Sequence, residues 1–329
     1  MSIINPYANV NWGSVQRIES FSHAHCKGEE QFQYSRNSNV RHLAYSNYYP
    51  SDPTYPLDDY FDDVPSNKIG CPNAEHHNFI NMPGKTHCNG LGSFWSSGKP
   101  EGETPIGVNN TYQYAFKNII ENLQYSDGGG VTVNHPVWSE LSTAQAIELL
   151  DYDSDRVLGI EIYNRSCEQS NNTGYALEMW DEILMTGRRC WGFVVPDHNA
   201  KNTIDFRGMN VLLVPEATEH ECLKAYRNGV FYGKERQSEM IFDSISFDGS
   251  TFRVSSPTAT TIKIVIDGVG TDYSVSSKEI SIPSSATYCR AEATDGTNKI
   301  YTNPIILKPY VPKAKGKQNM GEFISLFMS

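Results

Sequence analysis

No two of the cysteines stand in a CxxC spacing; the seven are odd in number and scattered. A disulfide framework and a cysteine-based zinc site are therefore not expected, and reduced thiols are. Positive charge is also scarce: 27 lysines and arginines face 38 acidic residues, for a formal net charge of −11. A surface of that sign repels a phosphate backbone and disfavours nucleic acid as a partner. An acidic chain that handles a phosphate needs a local source of positive charge, and bound metal ions are the usual one. No run approaches the roughly 18 apolar residues of a membrane span. The opening stretch, MSIINPYANVNW, lacks the basic start and apolar core of a secretory leader. The expected setting is the cytoplasm, or an assembly such as a virion.

What is present divides into two textures. From about residue 15 to 235, strand-like runs at 15–22, 40–46, 131–134, 157–163, 190–195 and 210–214 alternate with helix-like segments. Segment 142–151 opens STAQ and 218–229 opens TEHE, both of capping-box form. Segment 175–186 carries apolar residues at helical spacing and stops at Gly187. Such alternation predicts an α/β fold with a mainly parallel sheet or barrel. Residues 47–110, rich in Pro, Asn, Asp, Tyr and Gly, read as long loops and short strands over one face. Residues 241–308 are short alternating runs split by Asp-Gly and Pro-Ser turns, which predicts a small all-β sandwich. A lysine- and proline-bearing linker follows, ending in Phe323, Ile324, Leu326, Phe327 and Met328. The expected division is 1–240, 241–308 and 309–329, with residues 318–329 a docking segment for a protein partner.

The chemistry-bearing residues fall just past strand ends. The first strand runs into His23-Ala24-His25, the third, VTVN, into His135-Pro136, and CWGFVV into Pro196-Asp197-His198. In α/β barrels the C-terminal strand ends converge on one face, where reactive groups gather. Two further pieces, Glu75-His76-His77 and His87, lie in the irregular region. Histidine mixed with carboxylate, without a cysteine cluster, suits Zn, Mn or Fe. A carboxylate can bridge two such ions through its two oxygens.

These motifs resemble the PHP (polymerase and histidinol phosphatase) superfamily of metal-dependent phosphoesterases, over about residues 5–235. SHAH is similar to its first HxH motif, NAEHHNF to its glutamate motif, THCNGLGS to the following histidine, VNHPVW to its His-Pro motif and WGFVVPDHNA to its closing Asp-x-His region. The resemblance implies a distorted (βα)7 barrel with two divalent ions. It places His23, His25, Glu75 and Asp197 around a first metal, and Glu75, His87 and His135 around a second. Glu75 and Asp197 are then the carboxylates that carry the catalysis. His198 is a further candidate ligand, although it directly follows Asp197 and adjacent strand residues point to opposite faces; both can ligate only if the chain bends after Pro196. The family's third site is degenerate here: CKGEE follows the HxH motif with only Glu29 as its acid, and Tyr48 or a neighbour stands where the second strand would supply a histidine.

The implied activity is hydrolysis of a phosphate ester, on a phosphorylated small molecule or a phosphodiester, by metal-activated water. Arg165 and Lys201 are the candidate cations for the phosphate. Asn134 and Asn199 either orient ligand histidines or cap turns, and His76 and His77 either line the pocket or are exposed. Glu161, inside a strand, either reaches the site or, as expected, faces outward toward a helix Lys or Arg. The alternative from another class is a catalytically reduced structural or binding module of a larger assembly.

Overall fold

The structure is a computed structural model whose described residues are 2–25, 39–46, 48–49, 67–77, 79–95, 110–197 and 207–311. Glu29, His198, Asn199, Lys201 and the segment 312–329 lie outside them. Along the chain, β1 (Gln16–Phe21), β2 (His42–Leu43), β3 (Tyr48–Tyr49), β4 (Ile69–Gly70), β5 (Glu75–His76) and β6 (Cys88–Leu91) precede the first described helix, α1 (Tyr112–Glu121). Then follow β7 (Gly130–Val133), α2 (Thr143–Leu150), β8 (Val157–Asn164), α3 (Arg165–Asn171), α4 (Leu177–Met185), β9 (Trp191–Val195), β10 (Arg207–Val214), α5 (Glu219–Asn228) and β11 (Phe231–Arg236). The remainder is all strand: β12 (Ser244–Phe247), β13 (Thr251–Ser255), β14 (Thr261–Ile266), β15 (Val269–Tyr273), β16 (Ser277–Ser281), β17 (Tyr288–Thr294), β18 (Lys299–Thr302) and β19 (Ile305–Ile306).

The chain is thus mixed α/β. The strand signals at 15–22, 131–134, 157–163, 190–195 and 210–214 all become strands, while the 40–46 run shortens to two paired residues. The sheets mix directions more than the alternation predicts. One six-stranded sheet runs β3-β5-β6-β7-β8-β9, parallel at β3–β5, β7–β8 and β8–β9 but antiparallel on both sides of β6. A second carries β4-β2-β1 in parallel and then β10 and β11 antiparallel.

Buried asparagines stitch the two sheets together near the end of β1. Asn73 and Asn89 each donate to the Ser22 carbonyl at 3.0 Å. Asn210 donates to Ser22 Oγ at 3.1 Å and accepts from the Val194 amide at 3.0 Å. An amide side chain donates and accepts at once, so it can satisfy backbone groups where ladder pairing stops. The stitching brings the ends of β1, β5, β7 and β9 to one place.

Helix ends follow their capping residues. Ser142 and Gln145 form both halves of a capping box at α2. At α5 only half forms: Thr218 accepts from the Glu221 amide, but the Glu221 carboxylate pairs with Lys224 at 2.8 Å instead of reaching back. Gly229 then ends α5 in the left-handed conformation, which costs glycine nothing. Trp180, Ile183 and Leu184 of α4 are buried, and the Trp180 indole donates to the Cys190 carbonyl at 2.9 Å.

The C-terminal strands do not stand apart. β18 pairs with β11, so β14, β15, β17 and β18 continue the second sheet. β12, β13 and β16 form a separate three-stranded sheet. Ile245, Phe252 and Val254 from the latter share one apolar cluster with Ile262, Ala291 and Ile300, and equally with Val211 and Tyr232 of β10 and β11. The change of texture at residue 240 is therefore crossed by continuous sheet and continuous core. The Asp267-Gly268 turn joins β14 to β15 with both residues at positive φ, as a two-residue hairpin loop matched to strand twist requires.

Candidate metal centre

His23 and His25 leave β1 on consecutive same-side positions and are completely buried. Glu75 enters from β5, where its backbone lies in register with Tyr48. His87 comes one residue before β6, His135 two residues after β7, and Asp197 two residues after β9. Two groups of ligand atoms result, each within 4.8 Å: His23, His25, Glu75 and Asp197 in one, Glu75, His87 and His135 in the other. The sharing of Glu75 is literal. Its Oε2 lies 3.0 Å from His25 Nε2 and 3.4 Å from His23 Nε2. Its Oε1 lies 2.7 Å from His87 Nδ1 and 3.2 Å from His135 Nε2. Asp197 Oδ1 completes the first group, 3.1 Å from His23 Nε2 and 3.3 Å from His25 Nε2.

Two backbone outliers aim these side chains. His135 has φ 26° and Asp197 has φ 41°, left-handed values that non-glycine residues rarely adopt. Strain of this kind is held only where the surroundings over-determine it. At Asp197 the chain bends directly after Pro196. The Asp197 amide donates to the His23 carbonyl at 3.1 Å, which ties the bend to the HxH motif.

The electrostatics favour a cation. Burial resists charge on His23, but Asp197, Glu161 and Glu75 outweigh it and raise its pKa well above the usual value. His25 and His135 are raised in the same way, against burial, by Asp197 and Glu75. Burial would lift Glu75, yet His23 and His87 hold it well below the carboxylate range. Asp197 is likewise depressed, with His23 overcoming burial. The carboxylates stay ionised and the imidazoles gather positive charge, so metal and protons compete for one place. Glu75 Oε2 is also completely buried without a well-formed hydrogen bond. An ionised oxygen left so would be costly, and a divalent ion bound by His and carboxylate answers it. The donor set, imidazole and carboxylate only, fits Zn, Mn or Fe.

Glu161 corrects the sequence reading. It faces inward, not outward: Oε1 lies 2.6 Å from His23 Nδ1, and Oε2 accepts from the His135 amide at 2.7 Å and from Asn164 Nδ2 at 2.8 Å. The signal was present. The near-continuous apolar run VLGIEIYN is the pattern of a strand covered on both faces; all eight residues are buried, so its carboxylate must be paired inside. Asn134 and Asn164 orient carboxylates: Asn134 donates to Glu75 Oε1 at 3.0 Å, Asn164 to Asp197 Oδ2 at 2.9 Å.

Arg165 opens α3 directly after Asn164, is buried, and lies 3.7 Å from Glu168. His76 is buried and stacked on Trp95 at 4.7 Å, and burial lowers its pKa to about 3. The His77 ring sits 5.4 Å from His87. Trp138, which the sequence reading did not single out, stands 4.8 Å from the His135 ring and 5.8 Å from His87, with the Lys85 ammonium 5.4 Å over it.

No family model and no curated protein matches the sequence. Among solved structures, a two-domain protein from Bacteroides vulgatus containing a predicted PHP-like metal-dependent phosphoesterase superposes with a TM-score of 0.45 at 10% identity, covering 92% of this chain and 89% of that one. A likeness at that level says nothing of chemistry, which the side chains must carry. No described helix is long and apolar enough to cross a membrane.

Proposed function

We propose that the chain is a metal-dependent hydrolase of phosphate esters, built on a PHP-type (βα)7 barrel with a β-sandwich appended, and that it holds two divalent ions. The observation that carries this reading is the single buried carboxylate, Glu75, presenting one oxygen to each of two histidine groups. Bound ions of this kind supply Lewis acidity and, at neutral pH, an activated water. The chain's own part is to hold charge and direction. Glu75 and Asp197 are the carboxylates assigned to the reaction; His23 and His25 flank one side of Glu75, His87 and His135 the other. Asn134 and Asn164 fix the carboxylate rotamers, so no reorganisation is needed as charge develops on the substrate. Arg165, next to Asn164, and Lys201 are the cations assigned to the phosphate; His198 is a further candidate ligand beside Asp197. The substrate class is a phosphorylated small molecule or a phosphodiester.

The test is metal analysis of natively purified protein, with hydrolysis assays on phosphomonoesters and phosphodiesters after loading with Zn, Mn or Fe. About two ions per chain are expected from the bridging geometry, with hydrolysis lost in His23→Ala. Metal-free wild-type protein that cannot be loaded, or activity surviving His23→Ala, sinks the proposal.

A further inference from the structure

The centre contains a carboxylate that belongs to neither ligand group yet touches both. Glu161 is 2% exposed, and its two oxygens have three partners within 2.8 Å: His23 Nδ1, the His135 amide and Asn164 Nδ2. Through these it reaches three of the six assigned ligands. His23 belongs to the first group and His135 to the second, and Asn164 passes the contact on to Asp197 Oδ2. Resting on the two-metal reading above, we propose that Glu161 is the positioning residue that sets the His23 tautomer and couples the two metal sites.

The argument begins with proton placement. A carboxylate oxygen 2.6 Å from His23 Nδ1 requires a proton between them. With Nδ1 carrying that proton, the neutral imidazole presents its lone pair at Nε2. That is the nitrogen facing Asp197 Oδ1 and Glu75 Oε2. Partners of this type fix the ring orientation of metal-binding histidines and raise their basicity. The second oxygen acts on the backbone. It takes the amide of His135, the residue at φ 26°, and so holds the kink that turns this imidazole toward Glu75 Oε1. Because both oxygens belong to one rigid carboxylate on β8, neither role can shift without the other. Asn164 closes the loop: its Oδ1 caps α3 on the Cys167 amide while its Nδ2 spans Glu161 and Asp197.

Glu161→Gln separates this from simple packing. Volume is kept, but one acceptor becomes a donor. If the amide nitrogen faces His23, Nδ1 must become the acceptor, and Nε2 then carries the proton and cannot ligate. If it faces the His135 amide and Asn164, donors oppose donors and the kink loosens. Either way metal affinity falls, by roughly 10- to 100-fold, as expected for loss of an outer partner. Glu161→Asp keeps the charge and the acceptors and should recover part of the loss.

The experiment measures zinc affinity and stoichiometry by chelator competition for wild type, Glu161→Gln and Glu161→Asp. It also reads the His23 ring nitrogens by 15N NMR in the zinc-loaded proteins and thermal unfolding in the metal-free ones. The expected result is a wild-type His23 protonated at Nδ1 and coordinated through Nε2. Weaker binding in Glu161→Gln, with that signature lost, should come with metal-free unfolding close to wild type. Wild-type affinity and an unchanged His23 signature in Glu161→Gln overturn the proposal. So does a Glu161→Gln protein that binds zinc weakly only because its metal-free form is already unfolded, with Glu161→Asp behaving as wild type. A wild-type protein that takes up none of Zn, Mn or Fe instead defeats the two-metal reading itself, and the two failures are distinct.

Discussion

Two of the buried clusters of charge among the described residues close in opposite ways. At the junction of α4 and β17, Arg290 is 2% exposed. It donates to both Asp181 oxygens at 2.8 and 2.9 Å and to Glu292 at 2.8 Å, while the Tyr288 hydroxyl adds a bond to Asp181 at 2.7 Å. The guanidinium fork meets carboxylates in the geometry it is shaped for. The centre around Glu75 has the same burial and more charge, but no fixed cation among its six assigned residues. Its carboxylates meet imidazoles, whose charge is conditional. A cluster that satisfies itself is structural; one that satisfies itself only by capturing a proton or an ion is a candidate binding site.

Removing one partner tests the difference most sharply. Arg290→Ala removes the guanidinium from the half-buried Asp181 and from the buried Glu292, to which, among the described residues, only Lys263 at 4.0 Å is left. Breaking a buried pair this way costs about 3–5 kcal/mol. Urea unfolding should show that loss, and chelator titration should show unchanged metal affinity. A variant with wild-type stability, or one that also loses metal, would erase the distinction. Because β18 and the apolar cluster join this region to β10 and β11, the instability should appear as one cooperative transition, not as melting of residues 241–308 alone.

Removing the ion tests the other cluster. A metal that binds only the folded chain stabilises it by about 2.7 kcal/mol at 100 times its dissociation constant. Chelation should lower the unfolding temperature of wild type and leave His23→Ala unmoved. The gain should shrink as pH falls, because His23, His25 and His135 have raised affinities for protons and take up the place of the metal. A chelator effect of equal size in His23→Ala would mean that the ion sits elsewhere.

The sequence showed this centre better than it showed the fold around it. Each of His23, His25, His87, His135 and Asp197 stands beside a strand end, and strand ends are readable from alternation and turn residues. Pairing direction is not readable in that way. β6 is four residues long and runs antiparallel to both neighbours, a fact set by tertiary contacts and by the asparagine stitching at Ser22. The join of β11 to β18 was equally hidden, since a hairpin-rich texture looks the same whether its sheet ends or continues. Glu161 was misjudged for a different reason. Strand alternation assigns one face to solvent, but β8 has no solvent face.

The smallest predicted effect compares one residue type in two surroundings. His42, like His23, is completely buried, but no carboxylate faces it in the described structure. The Tyr226 hydroxyl donates to Ser20 Oγ at 2.6 Å, which leaves the Ser20 proton for His42 Nδ1, also 2.6 Å away. Nδ1 is therefore an acceptor, and a proton there would oppose another. Burial lowers the His42 pKa from 6.5 to about 3, whereas the carboxylates around His23 drive that histidine the other way. The folded pKa lies below the unfolded one, so the unfolded chain takes up this proton first. The contribution is fully present above pH 6.5 and is lost as pH falls toward 3. Between pH 7 and pH 5 it amounts to about 2 kcal/mol. Measured as the difference in urea stability between wild type and His42→Gln in metal-free protein, the wild-type advantage should narrow by that amount on acidification, since glutamine does not titrate. Histidines such as His23 gain stability over the same range, but they are common to both proteins and cancel. An advantage that widens toward pH 5 would place a charged partner beside His42 and remove the contrast between the two histidines.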